Sequence, residues 1–153
     1  MCMCNGFIAT GGHDAQISVK DLRKNEVIRS NMNVGGTINN ACHISKYMWL
    51  NDDPNIRSTP RLFLSNNDNT VKIYSLPSMR EIQNVNLHVA CNYTATSRDG
   101  KYMAAVADNN YVFLYDMRNG YRLISRMQGM YHFFLLFAKS MPFYLCFIGY
   151  RIF

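Results

Sequence analysis

The side chains that could do chemistry in this chain are few and dispersed. Four histidines, His13, His43, His88 and His132, lie far apart, and no H-E-x-x-H pair brings two of them onto one helix face. Five cysteines, Cys2, Cys4, Cys42, Cys91 and Cys146, are odd in number and irregular in spacing, which suits a reducing compartment rather than a disulfide framework. A zinc site wants four ligands, and a lone Cys2-x-Cys4 supplies two. Gly11-Gly12 and Gly35-Gly36 lack the surroundings of a phosphate-cradling loop, and there is no G-x-S-x-G elbow. The residues therefore predict a protein that is not an enzyme, needs no cofactor or metal and takes no small-molecule substrate. What remains is ionic. Asp21-Leu22-Arg23 and Asp116-Met117-Arg118 place a carboxylate two residues before a guanidinium, a pairing that serves recognition or an ordinary surface salt bridge.

The elements that carry these groups recur. Residues 61–76 (RLFLSNNDNTVKIYSL) read as two strands around a tight turn: Leu62 and Leu64 alternate with their neighbours, residues 66–69 tolerate turn dihedrals, and Val71 and Ile73 resume the period of two. Residues 7–22 and 101–117 repeat the scheme, with Asp14 and Asp108 as counterparts of Asp68, and the third copy aligns once one extra residue is allowed. Residues 26–30, 81–86 and 121–127 supply outer strands, and 37–45 and 90–97 supply first strands. The chain enters the first copy at about Phe7, without room for a first strand there. Self-similarity carried by paired strands is the mark of a repeat architecture.

The copies resemble WD repeats, the blades of β-propellers, over roughly residues 6–127, and the whole looks like fungal WD-repeat proteins. Residues 97–104 (SRDGKYMA) look like that family's serine-proline-aspartate-glycine turn and second strand, with Arg98 in place of proline. Residues 9–14 (ATGGHD) look like its small-residue strand end and turn aspartate. The Trp of the eponymous dipeptide is replaced by Lys20, Tyr74 or Tyr115, and its Asp survives as Asp21 and Asp116. The resemblance implies an all-β fold, a partial β-propeller of about two complete four-stranded antiparallel blades plus part of a third. It also implies a structural pair of His88 with the turn residue Asp108, beside the turn aspartates Asp14 and Asp68. The Asp-x-Arg triplets are similar to a box by which some WD-repeat proteins dock to the adaptor of a cullin-type ubiquitin ligase, which makes Asp21, Arg23, Asp116 and Arg118 candidate contact residues.

The chain has 153 residues, 48% of them hydrophobic, enough for one globular domain and too few for a closed propeller. A fragment of one would leave two apolar faces open, so the chain is expected to be a piece of something longer, to associate, or to be poorly stable alone. The net charge of +6 is spread without a basic run, which argues for a solvated surface over nucleic-acid binding. Residues 46–60 interrupt the repeat and carry Tyr47 and Trp49. On a loop these are candidate anchors for another protein or peptide; the alternative is that Trp49 folds back onto the blade. Residues 128–153 form an aromatic and apolar tail without acidic side chains. It is open to three readings: translated non-coding or frame-shifted sequence, a membrane anchor through 131–150, opposed by Lys139 and Pro142, or a partial blade. The function expected from all this is a non-catalytic protein–protein interaction scaffold, cytoplasmic or nuclear, with a membrane-tethered WD-repeat protein as the alternative.

Overall fold

A computed structural model describes residues 1–36, 38–45, 59–97 and 99–128. The expectations for Tyr47 and Trp49, for most of the inserted segment, for Arg98 and for the tail from residue 129 lie outside the described residues. Among the described residues there are twelve strands and no helix, hence none long and apolar enough to cross a membrane.

The strands form three four-stranded antiparallel sheets in sequence order. The first contains β1 (Cys2–Cys4), β2 (Phe7–Gly11), β3 (Gln16–Asp21) and β4 (Glu26–Asn33). The second contains β5 (Ile38–Ser45), β6 (Arg61–Asn66), β7 (Thr70–Ser75) and β8 (Glu81–Asn86). The third contains β9 (Cys91–Thr96), β10 (Tyr102–Ala107), β11 (Tyr111–Asp116) and β12 (Arg122–Gln128). The first sheet is thus complete. Residues 2–4 pair with β2, Cys2 opposite Ala9 and Cys4 opposite Phe7, and supply the first strand that composition alone does not reveal.

The three central hairpins have one length. Gly11 pairs with Ile17, Ser65 with Val71 and Val106 with Val112, so no residue is extra in the third copy. The counterpart of Asp14 and Asp68 is therefore Asn109, one position after Asp108. In each turn the side-chain Oδ1 accepts the amide two residues on: Gln16 N–H to Asp14 at 3.2 Å, Thr70 N–H to Asp68 at 3.1 Å and Tyr111 N–H to Asn109 at 3.2 Å. The residue between is left-handed every time, Ala15 (φ 59°), Asn69 (φ 69°) and Asn110 (φ 59°). An Asn serves as well as an Asp because the turn uses an acceptor oxygen and not a charge.

Alternation then decides which sheets touch. β6 is buried along its whole length. Leu62 and Leu64, with Tyr74, join Phe7, Ala9, Ile17 and Val19 of the first sheet in one core. Phe63, with Val71 and Ile73, joins Met103, Ala105, Phe113 and Tyr115 of the third in another. The sheets stand in the order first, second, third, with β5 packed on β1 and on β9. The two outward faces differ. Register places Tyr102, Ala104, Val106, Val112 and Leu114 on the far side of the third sheet, and Met3, Ile8, Thr10, Ser18, Lys20 and Val27 on that of the first. Both outward faces carry apolar side chains; that of the first sheet, where Met3 is 70% and Val27 58% exposed, also carries two hydroxyls and a lysine.

A left-handed alanine is strained by about 1–2 kcal/mol, and the two equivalent turn positions hold asparagine. Ala15→Asn is expected to stabilise the chain by about 1 kcal/mol, read as a higher denaturant midpoint; an unchanged or lower midpoint would count against the turn geometry described.

Candidate functional site

The Asp-x-Arg corners close the strands at the end opposite the Asx turns. In all three sheets the residue after the third strand donates its amide to the carbonyl just ahead of the second: Leu22 N–H to Gly6, Leu76 N–H to Pro60 and Met117 N–H to Lys101, at 2.7, 2.9 and 2.8 Å. The aspartates sit at the last strand position, where Asp21 pairs with Phe7 and Asp116 with Tyr102. From there each carboxylate gathers the turn that follows. Asp116 accepts from the Arg118 amide at 3.0 Å, from Arg118 Nε and Nη2 at 3.1 Å each, and from Asn119 Nδ2 at 2.9 Å. Asp21 accepts from the Arg23 amide at 2.9 Å, from Arg23 Nε and Nη2 at 3.4 Å each, and from the Lys24 amide at 3.4 Å. Each guanidinium also lies over the aromatic ring paired with its aspartate, Arg23 at 4.8 Å from the Phe7 centroid and Arg118 at 5.7 Å from that of Tyr102.

The carboxylates are nearly enclosed while the guanidiniums are open, Arg118 with 46% of its side chain exposed and Arg23 with 62%. The hydrogen bonds from Arg118 hold the Asp116 carboxyl below the usual carboxylate range against the opposing cost of burial. For Asp21 burial works upward, and the bonds from Arg23 and Lys24 outweigh it. Such a corner makes no bonds in a substrate. It fixes a cation at a set place, with Nε and Nη2 committed to its own aspartate. The second sheet lacks the device: Ser75 stands in the aspartate's place and its hydroxyl meets Ser78 Oγ at 2.5 Å.

The turn end is assembled from polar side chains as well. Asp68 takes the Thr70 hydroxyl at 2.5 Å and Lys72 Nζ at 3.0 Å, and Lys72 Nζ also donates to the Val34 carbonyl. Gly36 passes so close that an added Cβ would lie 2.7 Å from Asp68. The pair of His88 with Asp108 is not made. Asp108 Oδ1 accepts from Asn92 Nδ2 at 2.5 Å, and His88 is an exposed left-handed residue (φ 61°) whose amide donates to Asn86 Oδ1. With the chain turning there, Leu87 and not His88 enters the core. Ser97 Oγ donates to Asp99 and accepts the Tyr102 amide, and Gly100 has φ 69°. Among the described residues no group of three or more His, Cys, Asp or Glu side chains is placed to hold a metal ion.

Phe7 and Tyr102, the platforms under the arginines, and Asn119, the second donor to Asp116, were not among the residues expected to matter. Equal hairpin lengths would have found the first two, because they set which residue faces each aspartate.

No protein-family model matches the chain, and no curated protein matches it. Among solved structures it is similar to the computationally designed Ika8 protein, with a TM-score of 0.61 at 16% identity, over 84% of this chain and 36% of that one. At that identity the likeness is one of fold, and the chain spans about a third of that protein's length.

The lowered values for Asp21 and Asp116 mean that the corners contribute stability above the ordinary carboxylate range. That contribution is lost as pH falls through the lowered folded-state values. Carboxyl-carbon NMR titration is expected to place both midpoints below that of free aspartate, and Arg118→Ala to move Asp116 upward while leaving Asp21 in place. An unmoved Asp116 would show that the arginine does not set it.

Proposed function

We propose that the chain is part of a WD-repeat β-propeller that works as a non-catalytic protein–protein interaction scaffold. Its Asp-x-Arg corners dock it to the adaptor of a cullin-type ubiquitin ligase, in the manner of a substrate receptor. The observation that carries the reading is the duplicated corner. In two of three sheets the same aspartate, at the same register, holds the same exposed arginine over an aromatic ring. A surface salt bridge of no consequence needs neither the second bond of the fork nor the ring, and the sheet lacking the aspartate lacks the whole arrangement.

The rest of the fold supports the reading. Three sheets of equal plan, the middle one buried on both faces, form a stiff body on which loops and corners hold their places. A guanidinium already ordered by its own aspartate loses little side-chain freedom when a partner arrives. Lys24, next in sequence, gives the first corner a second cation, and Asn119 gives the last corner an amide. Of the two, the last corner has the tighter fork and keeps Tyr115 before its aspartate, so it is the stronger docking residue set.

Pull-down of the ligase adaptor with the tagged full chain tests this. Capture is expected for the unaltered chain, strongly reduced capture for Arg118→Ala and a smaller reduction for Arg23→Ala. Equal capture by all three, or no capture by the unaltered chain, would remove the ligase reading.

A further inference from the structure

The second and third sheets meet at their inner strands, β5 and β6 on β9, and leave a cleft of about 650 Å³ toward their outer ones. Its floor is the aromatic set Phe113, Tyr115 and Tyr121, each nearly buried. One wall is β8 and its extension: Gln83, in register with Ile73, turns its amide toward the third sheet, while Asn84 and Asn86, in register with Lys72 and Thr70, turn theirs to the other side, with His88 beyond them. The opposite wall is β12, presenting Leu123 and Arg126, with Asn109 of the β10–β11 turn at the rim. Among the described residues no carboxylate lines the space.

We propose that this cleft binds an extended segment of another protein in which an acidic side chain stands next to an apolar one. The Gln83 amide both donates and accepts, which suits a backbone N–H or C=O group of an extended segment. The aromatic floor and Leu123, itself 47% exposed, suit an apolar side chain. Arg126 supplies the charge. It lies opposite Phe113 in the strand register, exposed, with its guanidinium 4.6 Å from the Tyr111 ring centroid, so it is held over a ring at the edge of the cleft. The volume lies in the range of sites that hold a ligand of several residues' bulk.

The space between the first and second sheets does not repeat this chemistry. There Ile28, Met32 and Met79 pack against the core, and the Tyr74 hydroxyl donates to Glu81 Oε2 at 3.2 Å, which sets a carboxylate on that side. Two junctions of the same plan thus differ in filling and in charge, and only the one between the second and third sheets suits an acidic segment.

The proposal rests on the scaffold reading and adds a second contact surface, apart from the corners. Selection from a random library of displayed dodecapeptides against the immobilised full chain, followed by fluorescence anisotropy on the selected peptides, tests it. The expected result is enrichment of Asp or Glu beside an apolar residue, with affinity lowered about tenfold or more by Arg126→Glu. Gln83→Glu, which sets a carboxylate on the same wall, is expected to lower it as well. Arg118→Ala is expected to leave peptide affinity unchanged, and Arg126→Glu to leave adaptor capture unchanged, so failure of the cleft and failure of the corners read out separately. The proposal is overturned if no peptide is selected, if the selected peptides lack acidic residues, or if both cleft variants bind as well as the unaltered chain. Displacement of the peptide by an equal concentration of N-acetylglutamate would also overturn it, by reducing the site to a carboxylate pocket.

Discussion

β6 has no solvent side, and from that constraint most of the described structure follows. A strand in a half-exposed sheet alternates apolar with polar; β6 instead buries Leu62 and Leu64 in one core and Phe63 in the other. Each such side chain, fully buried, stabilises by roughly 1.5–3 kcal/mol, and neither core forms unless a neighbouring sheet covers it. The first and third sheets are those covers. Each needs its apolar positions on the side that faces β6, and a slip of one residue would turn every one of them to the wrong side. The fixed hairpin length is what prevents the slip. An acceptor oxygen at Asp14, Asp68 or Asn109 followed by a left-handed residue closes the turn at one place only, so register and burial are set together.

The same geometry explains where charge is tolerated. Phe7, Arg61 and Tyr102 occupy one position in the three sheets, each opposite the last residue of the third strand. In the outer two that residue is an aspartate with an arginine following, and the aromatic serves as the ring beneath the guanidinium. In the second sheet it is Ser75, and the cation has moved to the other strand. Arg61 is 3% exposed and donates from Nη1 to the Tyr121 hydroxyl at 2.7 Å, across to the third sheet. Burial raises the Tyr121 hydroxyl's pKa while Arg61 opposes the rise, so the hydroxyl stays neutral and the link is a charge-assisted hydrogen bond rather than an ion pair. The cation that decorates a corner elsewhere is used here to tie two sheets together.

Much of this was legible in the residues. The three hairpins, the outer strands and the first strands of the second and third sheets come from period-two alternation and turn chemistry. The Asp21–Arg23 and Asp116–Arg118 pairs come from spacing alone. Three things were not legible, each for a local reason. Residues 2–4, Cys-Met-Cys, are too few to show a period, and they become a strand only because β2 offers them an edge. Asn109 was passed over for Asp108 because a search for charge misses a turn that needs an acceptor. His88 was assigned to Asp108 by resemblance, but His88 is exposed, its neighbour Leu87 takes the core position, and Asp108 accepts from Asn92 instead. The cleft between the second and third sheets depends on how two sheets diverge, which no single strand encodes.

The contrast between the two outward faces bears on how the array can grow. A further sheet packed on Val112 and Leu114 would bury apolar surface on both sides of the junction, as Met103 and Phe113 do against Phe63 and Val71. A sheet packed on Ser18 and Lys20 would have to desolvate a hydroxyl and an ammonium, and each needs a partner supplied from the incoming face. Lys72, at the position in β7 that Ser18 holds in β3, shows what such a supply looks like: its ammonium reaches Asp68 on its own turn and the Val34 carbonyl on the sheet it faces. A neighbour that buried Lys20 would have to bring acceptors aimed at it, while Met3, Ile8 and Val27 on the same face ask only for apolar contact. Two copies of this chain set end to end would bring Tyr102, Ala104 and Leu114 instead, which offer Lys20 only one phenol oxygen. Lys20 thus sets a condition on covering the first sheet's outer face that Met3, Ile8 and Val27 beside it do not.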